Sequence, residues 1–389
     1  MRRVRRWMSS EVRDAAKGFP VVVVTGPRGS GKTTLLRMVA PEASYHLLED
    51  PDLLARVRTD PRAFLDSVAL PAILDEVQNA PELLAYVRSQ VDAAPRRRGR
   101  WFLSGSQEAP LMQGVTESLA GRAAIFHLLP LSIGESPRVS LWRGGFPEVL
   151  ARPALADTWF RSYIQTYLER DVRAVTQIRD LSTFRRFLSL VASRVGSVLN
   201  KTDLAAPLGV SVPTVGQWLS VLEITGQILL VPPFYENFGK RIGKSPKLYF
   251  ADTGLLCHLL GLRSEAELER STFLGPVHES FVASEIAKRQ LGAGRAKELY
   301  HFRDAQGLEV DFIVPRGGGR LLLLEAKASR TAKPEMAEPL LRLSKNTGKH
   351  EVERVVVHRP VRAQRSLSVL APGVSATTLE HVVRDLVLG

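Results

Sequence analysis

Four consecutive valines at positions 21–24 run through Thr25 into Gly26, Pro27, Arg28, Gly29, Ser30, Gly31, Lys32, Thr33 and Thr34, after which Leu35 and Leu36 open a helical pattern. This stretch leaves the chain few options. The β-branched run calls for a buried strand, the glycines for a tight backbone return, and the residues after Gly31 for a helix that starts at the end of that loop. With the spacing G-x-x-x-x-G-K-T, the loop's N–H groups and the positive end of the helix form a cradle for phosphate. Residues 26–34 are therefore the candidate nucleotide site, Lys32 facing the β- and γ-phosphates and the Thr33 hydroxyl ligating Mg²⁺. ATP and Mg²⁺ are the expected cofactors.

A hydrolase also needs a carboxylate on a neighbouring strand. The apolar run Ala72, Ile73, Leu74 ends in Asp75 and Glu76. Asp75 suits the metal's water shell, and Glu76 is placed to orient or deprotonate the attacking water. A third apolar run, W-F-L-S-G-S, ends in Ser104 and Ser106, which either sense the γ-phosphate or close an ordinary strand-end turn. Arg122, between a helical segment and a strand, either reaches a neighbouring subunit's γ-phosphate or is a solvated cation.

The 389 residues carry a net charge of +13, from 41 Arg and 12 Lys against 40 acids. That balance suits a polyanion partner, although arginine-rich usage alone discriminates weakly. The single cysteine, Cys257, excludes a disulfide-stapled scaffold and a cysteine-rich zinc site, and the eight histidines show no zinc spacing. The basic N-terminal stretch has no apolar segment after it, so the expectation is a cytoplasmic protein with neither export nor a membrane span.

Residues 19–131 alternate short apolar runs with helix-period segments, the mark of a mostly parallel α/β layer. Gly and Pro then interrupt the pattern, and three domains are expected, at 1–135, 136–265 and 266–389. In the middle one, Leu204, Ala205 and Leu208, the turn residue Gly209, then Val215, Trp218, Leu219 and Leu222 follow a helix-turn-helix register. Ser211, Thr214 and Gln217 would be exposed near the start of the second helix, the part that enters a major groove. A loop carrying Lys240, Arg241, Lys244 and Lys247 would contact phosphates as a wing. The alternative is a module that binds protein or acts as a lid.

In the last domain, E-V-D-F-I-V-P-R-G-G-G-R-L-L-L-L-E-A-K reads as a hairpin. Pairing about Gly317 sets Asp311 opposite Leu323 and diagonal to Glu325, with Lys327 on the same face. Asp311 and Glu325 would hold a metal while Lys327 orients a nucleophile or stabilises a phosphate. Such a Glu-x-Lys is ordinarily an exposed ion pair, but the four leucines before Glu325 argue for burial, where an unpartnered carboxylate is costly.

These motifs resemble those of AAA-type ATPases. More narrowly, GPRGSGKTTLL, LDEVQNAPELL, LSGSQ, SLAGR, GGFPEVL and YLERDV resemble a prokaryotic family that joins such a domain to a restriction-endonuclease-like C-terminal domain. The D-x(13)-E-x-K pattern is similar to that of PD-(D/E)XK nucleases, with Glu279 in the position of their upstream helical acid. The resemblance implies an α/β chain: a P-loop ATPase domain, a helical and winged-helix domain, and a nuclease-like domain. It further implies a homo-oligomer that hydrolyses ATP and acts on DNA. The alternative is a nucleotide-switched interaction module whose nuclease-like domain is inert and which has no DNA substrate.

Overall fold

The computed structural model describes residues 4–105, 118–168, 181–234, 245–345, 347–348, 350–359 and 367–388. Ser106, Lys240, Arg241 and Lys244 lie outside them. The chain divides into two compact units: Met1–Pro130 with Ile224–Gly226 and Leu291–Arg295, and Leu131–Glu223 with Gln227–Gln290 and Ala296–Gly389. The segments expected as second and third domains thus share one unit.

In the first unit, strands β1 (Val21–Thr25), β2 (Ser44–Leu47), β3 (Ala72–Asp75), β4 (Trp101–Gly105) and β5 (Ala123–His127) form a sheet in the order β2-β3-β4-β1-β5. Every pairing is parallel. Successive side chains of a strand point to opposite faces, so the valine run serves two cores at once. Val21 and Val23 pack with Leu74, Leu84, Trp101 and Leu103, while Val22 and Val24 pack with Met8, Leu35, Leu36 and Phe102. Helices Pro51–Thr59 and Pro61–Ser67 begin at Asp50 and Asp60, whose carboxylates accept from the Leu53 and Ala63 N–H at 2.9 Å. Their N1 prolines lack only an N–H that the helix start would leave unpaired.

The second unit opens with helices Pro147–Ala151, Ala156–Tyr163 and Leu181–Ser193. Helix Lys201–Ala205, a turn at Gly209 (φ 66°) and helix Val212–Ile224 follow, then an antiparallel pair of β6 (Ile228–Val231) and β7 (Lys247–Phe250). Trp218 is the hub of this part, packed on Phe187 and Phe184 with ring centroids 4.9 and 5.5 Å away. Ser211 is spent as a cap: its hydroxyl accepts from the Thr214 N–H at 3.2 Å and lies 2.8 Å from the Thr214 hydroxyl.

A six-stranded mixed sheet completes the unit: β8 (Tyr300–Arg303), β9 (Glu309–Arg316), β10 (Arg320–Ala326), β11 (Glu351–Val357), β12 (Ser368–Ala371) and β13 (Val374–Thr377), in the order β12-β13-β11-β10-β9-β8. The short strands β12 and β13 follow β11 in the chain. Helix Leu274–Gly292, which precedes this sheet in the chain, binds the middle segment through hydroxyls. Ser280 binds the Phe250 N–H and carbonyl at 2.8 and 3.2 Å, and Ser284 donates to the Ala251 carbonyl at 2.6 Å. Those buried bonds cross between the segments expected as the second and third domains.

Candidate functional sites

Because β4 lies between β1 and β3, three parallel strands end side by side with the glycine loop, Ser104 and Asp75. Gly26 has φ 135°, and a Cβ there would stand 2.3 Å from the Leu128 carbonyl oxygen, so only glycine fits. The buried Lys32 ammonium donates to the Gly26 and Pro27 carbonyls at 2.9 and 3.0 Å. Thr33 Oγ1 donates to Asp75 Oδ2 at 2.8 Å. The Tyr45 hydroxyl donates to the same oxygen at 2.7 Å, and Ser104 donates to Asp75 Oδ1. Burial and the bond to Asp75 push the Tyr45 phenol well up, and the Arg37 guanidinium lies 3.7 Å from the centre of its ring.

Glu76 is the one non-glycine residue with positive φ among those described, at φ 57° and ψ 46°. Its carboxylate accepts from Gln78 and lies 3.8 Å from Arg28, which also pairs with Glu49 at 3.1 Å. Arg28 thus links the loop to Glu76. His127, at the end of β5, sits 3.2 Å from the Thr25 hydroxyl; desolvation and the Lys32 charge push its imidazole down to about 4. These donors fit the expected group: glycine-only backbone at the loop, an ammonium beside it, and a hydroxyl and carboxylate in contact, hard oxygens of the kind Mg²⁺ takes. Arg122 is placed elsewhere. Its carbonyl accepts from the Val21 N–H, at the end of β1 opposite the loop, and its guanidinium forms a two-pronged pair with Asp92 at 2.6 and 3.1 Å.

The second cluster is built on β9, β10, β7 and helix Leu274–Gly292. The hairpin pairs Leu323 with Ile313 and Leu324 with Phe312, and the next step of that register puts Asp311 opposite Glu325. This corrects the pairing about Gly317. Gly317–Gly319 form a three-residue turn with Gly318 and Gly319 at φ 75° and 76°, which moves the centre to Gly318. The two carboxylates therefore face each other directly. Asp311 accepts from the Ala326 N–H at 2.9 Å, and Lys327 donates to Glu325 Oε1 at 2.6 Å. Glu325 Oε2 is buried without a partner.

Lys247 is the second correction. Expected in a solvent loop against DNA, it lies in β7, 2% exposed, paired with Glu309 and 3.7 Å from Asp311. Strand alternation explains the move, since Lys247 and Tyr249 share a face and both point at acids. The Tyr249 hydroxyl donates to Glu279 Oε2 at 3.3 Å. Burial, then the Asp311 charge, raises Glu279 to about 8 and Glu325 to about 7; burial raises Asp311 as well. Burial opposes the charge on Lys327, but the charges of Glu325, Asp311 and Glu279 together raise its pKa. The orphaned Glu325 oxygen facing Asp311 fits a small cation. Among the described residues, however, no group of three or more His, Cys, Asp or Glu is arranged to hold a metal.

Comparison with known proteins places these sites in context. Residues 18–136 match the family described as AAA domain, residues 135–266 a domain of unknown function (DUF8612), and residues 274–372 another domain of unknown function (DUF4143). The uncharacterized protein Rv2008c of Mycobacterium tuberculosis is 34% identical over 323 residues, covering 81% of this chain and 72% of that protein. Mb2031c of Mycobacterium bovis matches to the same extent. The chain belongs to their family.

As a member of that family it carries an AAA-type P-loop ATPase domain at its N-terminal end. Among solved structures, the Walker-type ATPase PABY2304 of Pyrococcus abyssi is 16% identical, covering 65% of this chain and 94% of that one with a TM-score of 0.40. RuvB T158V of Thermotoga maritima is 18% identical, with 58% and 87% covered and a TM-score of 0.31. No described helix is long and apolar enough to cross a membrane.

The loop end of the sheet brings Lys32, Thr33, Asp75, Glu76, Arg28 and Ser104 together, and Arg122 lies at the other end. The sequence reading missed Tyr45, whose strand carries no motif, and it missed Tyr249. The alternation in K-L-Y-F was a usable signal for the latter, because it makes a strand with Lys247 and Tyr249 on one face.

Proposed function

We propose that this AAA-type ATPase binds ATP–Mg²⁺ with Gly26, Pro27, Arg28, Gly29, Ser30, Gly31, Lys32, Thr33 and Thr34, and that Glu76 activates the hydrolytic water. The observation that carries the reading is the Thr33 hydroxyl on Asp75 at 2.8 Å, with Glu76 next in the chain. When nucleotide binds, the Lys32 ammonium exchanges the Gly26 and Pro27 carbonyls for phosphate oxygens, and Thr33 and Asp75 serve the metal. Mg²⁺ supplies charge neutralisation at the phosphates. Glu76, held by Gln78 and near Arg28, accepts the proton of the attacking water.

The reading extends to DNA as the substrate on which turnover is spent. The net charge of +13, the helix-turn-helix pattern with its β6–β7 ribbon, and the Asp311–Glu325–Lys327 cluster support it. In a nuclease-like role, Asp311 and Glu325 would hold the metal, Lys327 would face the scissile phosphate, and Glu279 would be the helical acid. The second reading, a nucleotide-driven switch without DNA, is favoured by two observations: Ser211 serves as a helix cap and Lys247 is buried against Asp311, which removes two expected DNA contacts.

ATP turnover of the purified protein, measured with and without single-stranded, duplex and branched DNA, separates the two. Stimulation by DNA with salt-dependent binding supports the first; unchanged turnover and no binding at low salt refute it. Mg²⁺- or Mn²⁺-dependent nicking lost in Asp311→Ala and in Lys327→Ala supports cleavage, whereas nicking that survives both removes those residues from it.

A further inference from the structure

Within the second unit, lined by no residue of either cluster, lies a cavity of about 680 Å³ between helix Ala156–Tyr163 and helix Thr253–Leu259. The motif G-G-F-P-E, which neither site above uses, runs between the lining residues Arg143 and Val149. Gly144 has φ 66°, and a Cβ there would stand 2.2 Å from Asp252 Oδ1; at Gly145 a Cβ would stand 2.0 Å from the Leu131 carbonyl oxygen. Across the contact, a Cβ on Gly254 would stand 2.4 Å from the Arg143 carbonyl oxygen. Asp252 ties the two together, accepting from the Gly145 N–H at 2.6 Å and the Leu255 N–H at 3.0 Å. Glycine is needed on both sides, and the effect is to press Trp142 and Arg143 against the start of the second helix.

The lining combines an apolar floor, including Phe160, Val149 and Leu262, with an excess of cations. Arg161 donates to Asp157 Oδ2 at 2.5 Å, and Asp157 Oδ1 meets His258 Nδ1 at 3.1 Å. That carboxylate fixes one guanidinium and one imidazole. Arg143 and Arg263 also line the cavity, and among the described residues neither guanidinium forms an ion pair, although the Arg263 N–H donates to Glu267 Oε2 at 2.7 Å. Desolvation lowers the His258 imidazole and keeps it neutral near pH 7. Among the lining residues, three guanidiniums against one carboxylate leave an excess of two positive charges. The volume falls in the range of small-molecule sites, in which a few convergent polar groups above an apolar surface set orientation.

We propose that this cavity binds a phosphomonoester carried on a flat or apolar group, a nucleoside monophosphate being the type, with Arg143 and Arg263 taking the phosphate and Trp142 and Phe160 bordering the carrier. A phosphomonoester carries close to two negative charges at neutral pH, which matches the unbalanced pair, and guanidinium forks suit its oxygens. The site is separate from the ATP loop and its occupancy does not depend on Lys32.

Calorimetry on the full chain carrying Lys32→Ala, which closes the ATP loop to nucleotide, tests this with phenyl phosphate, adenosine monophosphate and inorganic phosphate as probes. Saturable binding of either ester is expected, weakened at least tenfold by Arg143→Ala and by Arg263→Ala and bound more tightly than inorganic phosphate. Arg263→Ala changes an exposed side chain, and an unchanged unfolding temperature shows that it folds. ATP turnover in the same arginine variants of the otherwise native chain is expected to stay at the parental rate. The proposal is overturned if neither ester binds at millimolar concentration, if both arginine variants bind as the parent does, or if inorganic phosphate binds as tightly as phenyl phosphate.

Discussion

Glu76 offers a direct test of whether strain is stored at the position proposed to activate water. A side chain with a Cβ in the left-handed region costs roughly 1–2 kcal/mol, and asparagine recovers part of that through local hydrogen bonding. Glu76 occupies this region at φ 57°. Glu76→Gln keeps the strain and removes the acid, whereas Glu76→Asn removes the acid and relieves the backbone. The bond to Gln78 would blur the comparison, so both changes belong in a Gln78→Ala background. There the asparagine variant is expected to be the more stable by about 0.5–1 kcal/mol, a rise of roughly 2–4 °C for a unit of this size. Scanning calorimetry reads it in the transition that ATP shifts upward, since a ligand stabilises the unit that binds it. Phosphate release is expected to fall by about 10²–10⁴-fold in both variants, the usual share of a general base. Equal stabilities would refute the strain argument, and turnover retained in either would remove Glu76 from catalysis.

Three further outcomes follow from the geometry. Gly26→Ala would drive a methyl group into the Leu128 carbonyl oxygen at 2.3 Å; a loss of about 1–3 kcal/mol and of ATP affinity is expected by thermal unfolding and nucleotide titration. Lys32→Ala is expected to abolish ATP binding with little change in fold, which a filter-binding assay beside circular dichroism would check. Glu279→Gln has a pH signature in metal-free buffer. The folded carboxyl titrates near 8 while the unfolded one titrates near 4.5, so between those values the unfolded state sheds a proton that the folded state keeps, and native stability falls as pH rises. Glutamine removes that loss, so the variant's advantage over the native protein should be near zero at pH 4.5 and grow to on the order of 1–3 kcal/mol at pH 8. An advantage independent of pH would show that Glu279 is not a buried, protonated acid.

How much of this was legible depends on how far apart in sequence the cooperating residues lie. The nucleotide loop was readable because the backbone conformations it needs demand glycine at fixed spacing and the lysine and threonine follow without interruption. Asp75 and Glu76 were readable one level less directly, as the polar end of an apolar strand. Tyr45 and Ser104 converge on Asp75 only because β2 and β4 flank β3, an order set by how the helices cover both faces of the sheet. Arg122 is a different case: the parallel sheet carries it to the end away from the chain's own loop, and both a role at a neighbouring subunit's nucleotide and that of a solvated cation paired with Asp92 stay open.

The second cluster depends almost wholly on such long-range pairing. The alternation in β9 and β10 marked one face, but the turn decided the register, and a centre at Gly318 rather than Gly317 turned a diagonal pair of carboxylates into a direct one. Lys247 looked like one more solvated cation until β7 brought it beside β9. The sequence alone determined the phosphate loop, the carboxylates that follow the third strand, and the alternation of strand and helix, because each rests on neighbours within a turn or a strand. Tertiary structure alone decided which acids face one another, which cations are buried against them, and why G-G-F-P-E needs its glycines, because those are distances between segments that the chain brings together only when it packs.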